Sequence, residues 1–236
     1  MLKDLSLDDV LFIDIETVSA YASFDQLPDR FKTLWEKKAD LLRRNDPDST
    51  PDQMYKSAGI YAEFGKIVCI SCGFNNGIEF RIKSFYGDDE KILLEEFAEL
   101  LNKHYSGSRF LLCAHNGKEF DFPYIARRML VNHIELPDIL NLAGKKPWEV
   151  RHLDTMELWK FGDYKHYTSL DLLAAIFEIP TPKDDIDGSL VGQVYWEDND
   201  LERISNYCAK DVLTIAQLLK CYMGLPLIKE ENVLIK

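Results

Sequence analysis

Val10-Leu11-Phe12-Ile13-Asp14-Ile15-Glu16-Thr17 is a hydrophobic run that carries two carboxylates where a buried strand should carry none. Four apolar residues in a row, two of them β-branched, read as a strand covered on both faces. Side chains alternate along a strand, so Asp14 and Glu16 point to one side, roughly 6–7 Å apart along the backbone. Two like charges held together on a buried face demand a cation. With no His or Cys beside them in sequence, hard oxygen donors point to magnesium or manganese rather than zinc. The competing reading ends the strand at Ile13 and leaves both acids in a solvated loop; the pair alone does not decide between them.

A chain of 236 residues, 46% hydrophobic and 12% aromatic, has ample material for a real core. No stretch approaches 18 apolar residues, and Met1-Leu2-Lys3-Asp4 is charged without a signal-peptide core, so neither membrane insertion nor export is expected and the cytoplasm is the expected location. Five cysteines in apolar surroundings (Cys69, Cys72, Cys113, Cys208, Cys221) fit reduced core thiols better than a disulfide framework. Cys69 and Cys72 form a CxxC, but on a strand they face opposite sides and no second pair follows. A net charge of −12 argues against a protein coated in duplex-binding surface. Between Arg127 and Lys183, however, Arg128, Lys145, Lys146, Arg151, Lys160 and Lys165 are interleaved with Trp148, Trp159, Tyr164 and Tyr167, and His133, His152 and His166 add charge if protonated. That mix suits a grip on a short single strand, and equally an ordinary solvated surface with core aromatics.

After Thr17 a polar insertion runs from about residue 19 to 62, with helical spacing over Leu27 to Leu42 and a loop over Arg44 to Asp52. Two strands, Lys66 to Phe74 and Ile78 to Phe85, are joined at Asn75-Asn76-Gly77 as a tight hairpin. A helix from Gly87-Asp88-Asp89 to about His104, a strand over Arg109 to Ala114, a helix to about Asn132 and a short strand ending at Leu153 follow. Asp154-Thr155-Met156-Glu157 has capping-box form, which makes Asp154 an N-cap before it is anything catalytic. Helices over Thr168 to Phe177 and Asn199 to about Leu219 complete the chain, with an acidic turn at Asp184 to Gly188. This order specifies an α/β chain with a mixed sheet, three antiparallel strands first and parallel ones added by crossovers, in one domain spanning 1–236.

Two more carboxylates extend the first pair. Asp121 follows a strand end at a helix start, where ligands of open α/β sheets bind. Tyr207 and Asp211, four apart, share one face of the last helix, whose apolar neighbours Ile204, Val212 and Ile215 pack it on the sheet. In order and surroundings these residues resemble the DEDD, or DnaQ-like, superfamily of 3′-5′ exonucleases. Asp14-x-Glu16 matches its first motif, Asn116-x-x-x-Phe120-Asp121 its second, and Tyr207-x-x-x-Asp211 the third motif of its tyrosine branch, with Asn206 where the histidine branch carries its His. More narrowly, Glu63-Phe64-Gly65-Lys66-Ile67, His115-Asn116-Gly117, Phe120-Asp121-Phe122-Pro123-Tyr124, Asp187-Gly188 and Tyr207-Cys208-Ala209-Lys210-Asp211 look like the stand-alone exonucleases related to the proofreading domain of family-B DNA polymerases. The resemblance spans Leu11 to about Leu219, with the insertion its least typical part.

The resemblance implies a ribonuclease H-like fold: a central mixed five-stranded sheet flanked by helices, with the helical insertion after the first strand. It implies release of 5′-mononucleotides from the 3′ end of single-stranded nucleic acid, DNA before RNA. Two divalent cations, Mg2+ or Mn2+, would be held by Asp14, Glu16, Asp121 and Asp211, with Tyr207 orienting the attacking water. Backbone groups of Ile15 and Thr17, with Asn116 and Phe120, would hold the terminal nucleotide. No polymerase domain is present, so a polymerase or repair partner, if there is one, acts in trans and is not named by any residue. An RNA-trimming enzyme of the same chemistry and a non-catalytic nucleic-acid-binding subunit are the alternatives.

Overall fold

The structure, a computed structural model, describes residues 2–43, 47–163, 167–180 and 186–236. Parts of the expected loop after Arg43 and of the acidic turn at Asp184, and Tyr164, Lys165, His166 and Lys183 of the basic aromatic stretch, lie outside the described residues.

β1 (Val10–Ser19) runs unbroken through Asp14 and Glu16, which removes the reading of the acids as a solvated loop. Its alternation is what places it at the centre. Leu11, Ile13 and Ile15 enter one apolar cluster together with Leu94, Phe97, Phe122 and Ile125; the first two of those partners belong to α3 (Glu90–His104) and the last two to α4 (Asp121–Val131). Val10 and Phe12 enter the opposite cluster with Val212, Ile215 and Leu219, from the long helix α8 (Leu201–Tyr222). A strand buried on both faces can afford no polar side chain without a partner.

Around β1 the sheet takes the order β5-β4-β1-β2-β3-β6. β2 (Gly65–Asn76) and β3 (Glu79–Tyr86) form the antiparallel meander with β1, and β4 (Leu111–Ala114) and β5 (Leu153–Asp154) add in parallel on the other side. The register shifts between Glu16 and Thr17, so β1 carries a bulge immediately after the second acid. Asn76 pairs with Glu79, which moves the hairpin turn from the expected Asn75-Asn76-Gly77 onto Gly77-Ile78; Gly77 supplies the left-handed φ of 68°.

The strand count also differs from expectation. The sheet has six strands rather than five, because Val233–Ile235 adds as β6 parallel to β3; three apolar residues are too few to show a period. The insertion is a packed unit with its own core, formed by α1 (Asp29–Leu42) and α2 (Pro51–Tyr55). Trp35 is fully buried, crosses Tyr55 and Phe64 edge-on, and donates its Nε1–H to Pro51 O at 2.7 Å. Its end meets β1 at Gly59, where a Cβ would come within 2.9 Å of the Val18 carbonyl carbon. The shorter helices α5 (Thr155–Lys160), α6 (Leu170–Ile176) and α7 (Val191–Gln193) precede α8. Among the described residues no helix is long and apolar enough to cross a membrane.

His152 fastens the outer strands. Leu112 N–H donates to its Nδ1 at 3.2 Å and its Nε2 is 2.8 Å from Ile139 O, so Nε2 carries the proton of a neutral ring. Burial lowers its pKa from 6.5 to about 4. A histidine held below its unfolded value binds fewer protons in the native state, so stability is lost as pH falls from about 6.5 towards 4. Urea curves of wild type and His152→Asn are expected to converge by up to about 3 kcal/mol over that window. A gap independent of pH would refute the assignment.

Candidate active site

Three elements meet beside the end of β1. The strand contributes Asp14 and Glu16 from the face opposite Ile13 and Ile15. Helix α8 lays Ile204, Cys208, Val212 and Ile215 against the sheet, all essentially buried, so that Tyr207 and Asp211 fall beside the strand's acids. α4 begins at Asp121, which is 3% exposed.

Oxygen or sulfur atoms of Asp14, Glu16 and Cys208 lie within 4.8 Å of one another, the group among the described residues compact enough to hold an ion. Asp121 and Asp211 stand outside that tight group, yet close enough for their charges to act on it. Burial raises the Asp14 pKa well above the carboxylate range, and Glu16, Asp211 and Asp121 raise it further; the Cys208 thiol opposes this in part by a hydrogen bond. Glu16 is raised by burial and then by Asp211, Cys69 and Asp121. Asp121 is pushed up to about 7 by burial and the charges of Asp154 and Asp211, against hydrogen bonds from its own N–H and that of Ile15. Tyr207 is raised by burial and by Asp211, Glu16 and Asp14, and its hydroxyl donates to Asp211.

No lysine or arginine among the described residues appears as a cause of these carboxylate shifts. The donor set therefore fits a hard divalent cation, whose positive charge would oppose these shifts. Cys208 is not a ligand of that kind. Its thiol pKa is raised well above 9, first by burial, and it lies 3.3 Å from Asp14 Oδ2 and 3.4 Å from Asp14 O as a neutral donor. Cys208 reads from sequence as a plain core thiol; the signal that it belongs here is its helical spacing from Ile204 and Asp211.

The residues expected to hold a nucleotide have the following settings. Ile15 is buried on the far face, leaving its backbone towards Asp121. Thr17 hydrogen-bonds Tyr124 through its side chain, and Tyr124 in turn donates to Gly59 O at 2.7 Å. Asn116 has a left-handed φ of 64°, and among the described residues its buried Oδ1 has no hydrogen-bond partner. Phe120 is half-buried, its ring 5.3 Å from that of Tyr124. Asp154 is the N-cap expected of it, accepting from Met156 N and Glu157 N, and it also holds the loop before Asp121 through Asn116 N at 3.0 Å and Lys118 N at 3.1 Å. A cavity of about 340 Å³ opens beside Tyr207, lined in part by Arg203, Asn206 and Lys210.

Sheet order and flanking helices match a class, the ribonuclease H-like fold of the exonuclease domain of B-family polymerases. The family B DNA polymerase of the hyperthermophilic archaeon Pyrobaculum calidifontis superposes with a TM-score of 0.51 at 15% identity, over 89% of this chain and 24% of the polymerase, so the chain spans about a quarter of that protein. At that identity the likeness is one of fold. Within the class, residues 60–224 match the family described as predicted 3′-5′ exonucleases related to the exonuclease domain of PolB, and the chain belongs to that family. The matched span contains Asn116, Phe120, Asp121, Tyr207 and Asp211, whereas Asp14 and Glu16 precede it. No curated protein matches the sequence.

Proposed function

We propose that the whole chain acts as one exonuclease unit that removes 5′-mononucleotides from the 3′ end of single-stranded nucleic acid, DNA before RNA. Asp14, Glu16, Asp121 and Asp211 would hold two divalent cations, Mg2+ or Mn2+. The observation that carries the reading is the meeting of Asp14 and Glu16, with ligand atoms within 4.8 Å of each other, and the nearness of Asp121 and Asp211, whose charges raise both pKa values. Bound there, such ions lower the pKa of water and stabilise charge on phosphodiester oxygens.

The chain's own residues do the positioning. Tyr207, half-buried and hydrogen-bonded to Asp211, keeps its proton at neutral pH, so its hydroxyl orients the attacking water rather than deprotonating it. Cys208 donates to Asp14 and fixes that carboxylate's rotamer. Backbone groups of Ile15 and Thr17, the Oδ1 of Asn116 and the ring of Phe120 would hold the terminal nucleotide. A splayed single-stranded end needs little basic surface, so an acidic chain is no obstacle.

Labelled single-stranded DNA, RNA and mismatched duplex ends, each with Mg2+ and Mn2+, test the reading. Stepwise shortening of DNA from the 3′ end is expected. Shortening of RNA alone would identify an RNA-trimming enzyme, and tight retention without shortening a binding subunit. Tyr207→Phe is expected to lower kcat about tenfold to a hundredfold, the worth of one hydrogen bond to a charged group, while Mn2+ binding measured by calorimetry persists. Loss of Mn2+ binding would make Tyr207 a structural residue instead.

A further inference from the structure

The open edge of the sheet at β5 carries a groove of about 840 Å³ that the proposed chemistry does not use. Leu2, Leu5 and Leu158 contribute apolar floor, and Trp148, Arg151, Lys160 and Phe161 line it. Two of these are large aromatics in water: Trp148 is 77% exposed and Phe161 91%. Phe161 is also held at the end of α5 in the left-handed region, φ 45° and ψ 34°, a conformation its Cβ disfavours and that the following Gly162 would take without strain. An exposed aromatic on a strained backbone is unfavourable twice, which points to a use. Of the aromatics of the basic stretch, Trp159 is half-buried against Phe177 and Tyr222, whereas Trp148 and Tyr167 face solvent, as does Phe161, which the sequence did not single out.

Resting on the exonuclease reading, we infer that this groove holds the substrate strand 5′ of the nucleotide being removed, with its bases stacked on Trp148 and Phe161. Cations accompany the rings: Lys146 Nζ sits 5.3 Å from the Trp148 ring centre, and Arg151 and Lys160 line the groove. Of the acids that line it, Asp9 pairs with Arg109, Glu157 with Lys118 and Asp154 caps α5, while Asp4 and Asp163 complete the lining. The inner end of the groove is Lys118 and Asp154, and Asp154 binds Asn116 N–H in the turn that leads to Asp121. The groove's inner end is thus one hydrogen bond away from the turn that leads to Asp121. β5 lies two strand spacings from β1, about 10 Å, so a strand whose 3′ end is at Asp14 enters the groove within a few nucleotides. Stacking on rings tolerates any base, as stepwise removal requires.

Trp148→Ala and Phe161→Gly are compared with wild type on a trinucleotide and on a 12-mer of single-stranded DNA. Each substitution is expected to lower the ratio of kcat/KM for the 12-mer to that for the trinucleotide about tenfold, the effect of losing one stacked base, chiefly through KM of the 12-mer. Phe161→Gly is expected to melt no lower than wild type, because it relieves the left-handed backbone, so its loss of 12-mer affinity is not unfolding. Ratios equal to wild type in both variants would overturn the groove while leaving the exonuclease reading intact. Failure of the wild type to shorten either substrate would remove both.

Discussion

Asp14→Asn is expected to abolish nucleotide release, by on the order of a thousandfold or more, and at the same time to raise the melting temperature of the metal-free protein. The two effects have one cause. Asp14 lies among Glu16, Asp121 and Asp211, which raise its pKa after burial has already done so. A carboxylate whose folded pKa lies above its unfolded value contributes stability at acid pH that is lost as pH rises through the folded value. For Asp121 that value is about 7. Wild type in EDTA should therefore lose stability from about pH 4 upward, and the amide, which cannot ionise, should lose less. Each kcal/mol recovered raises the melting temperature roughly 2–4 °C in a chain of this size. Mn2+ should stabilise wild type at pH 8 and the variant far less. Differential scanning fluorimetry at pH 5 and pH 8, with EDTA or Mn2+, reads all of this. Full nuclease activity in the variant, or a lower melting temperature in EDTA, would contradict the assignment.

Glu90→Ala is expected to cost about 3–5 kcal/mol, as when one partner of a buried ion pair is removed. Glu90 Oε1 accepts from Ile67 N–H and Arg128 Nε, each at 2.8 Å, and Oε2 from Arg128 Nη2 at 2.6 Å and Asn132 Nδ2 at 3.0 Å. Arg128 Nη1 goes on to Ala62 O at 2.8 Å. One carboxylate thus joins α3, β2, α4 and the end of the insertion, with both side chains nearly buried. Alanine strands the guanidinium and the Ile67 N–H together. Urea denaturation should show the loss, and adding Arg128→Leu should recover part of it, because the stranded charge is then gone. A single variant within about 1 kcal/mol of wild type would show the network to be solvated and weak.

Much of the fold was legible because its signals are local. Val10 to Ile13 declared a central strand, the helix expected from Gly87-Asp88-Asp89 formed as α3, with Asp89 accepting from Lys91 N and Ile92 N at its start, and the spacing of Ile204, Val212 and Ile215 foretold the face by which α8 packs. β6 was not legible, since Val233–Ile235 has no period and is a strand only because β3 offers it an edge. Nor was the hairpin turn, where the Asn-Gly step suggested one register and continued pairing of Asn75 and Asn76 chose the next.

By itself the sequence determined which groups exist and which faces they share: Asp14 with Glu16 through the two-residue period of a strand, Tyr207 with Asp211 through the turn of a helix. Only the tertiary structure decided that these faces oppose each other, that Cys208 becomes a donor to Asp14, and that Trp148 and Phe161 stand in water beside an open sheet edge. The physical reason is that backbone periodicity is a property of neighbours along the chain. Burial and charge depend instead on segments nearly two hundred residues apart, which meet only when α8 closes over β1.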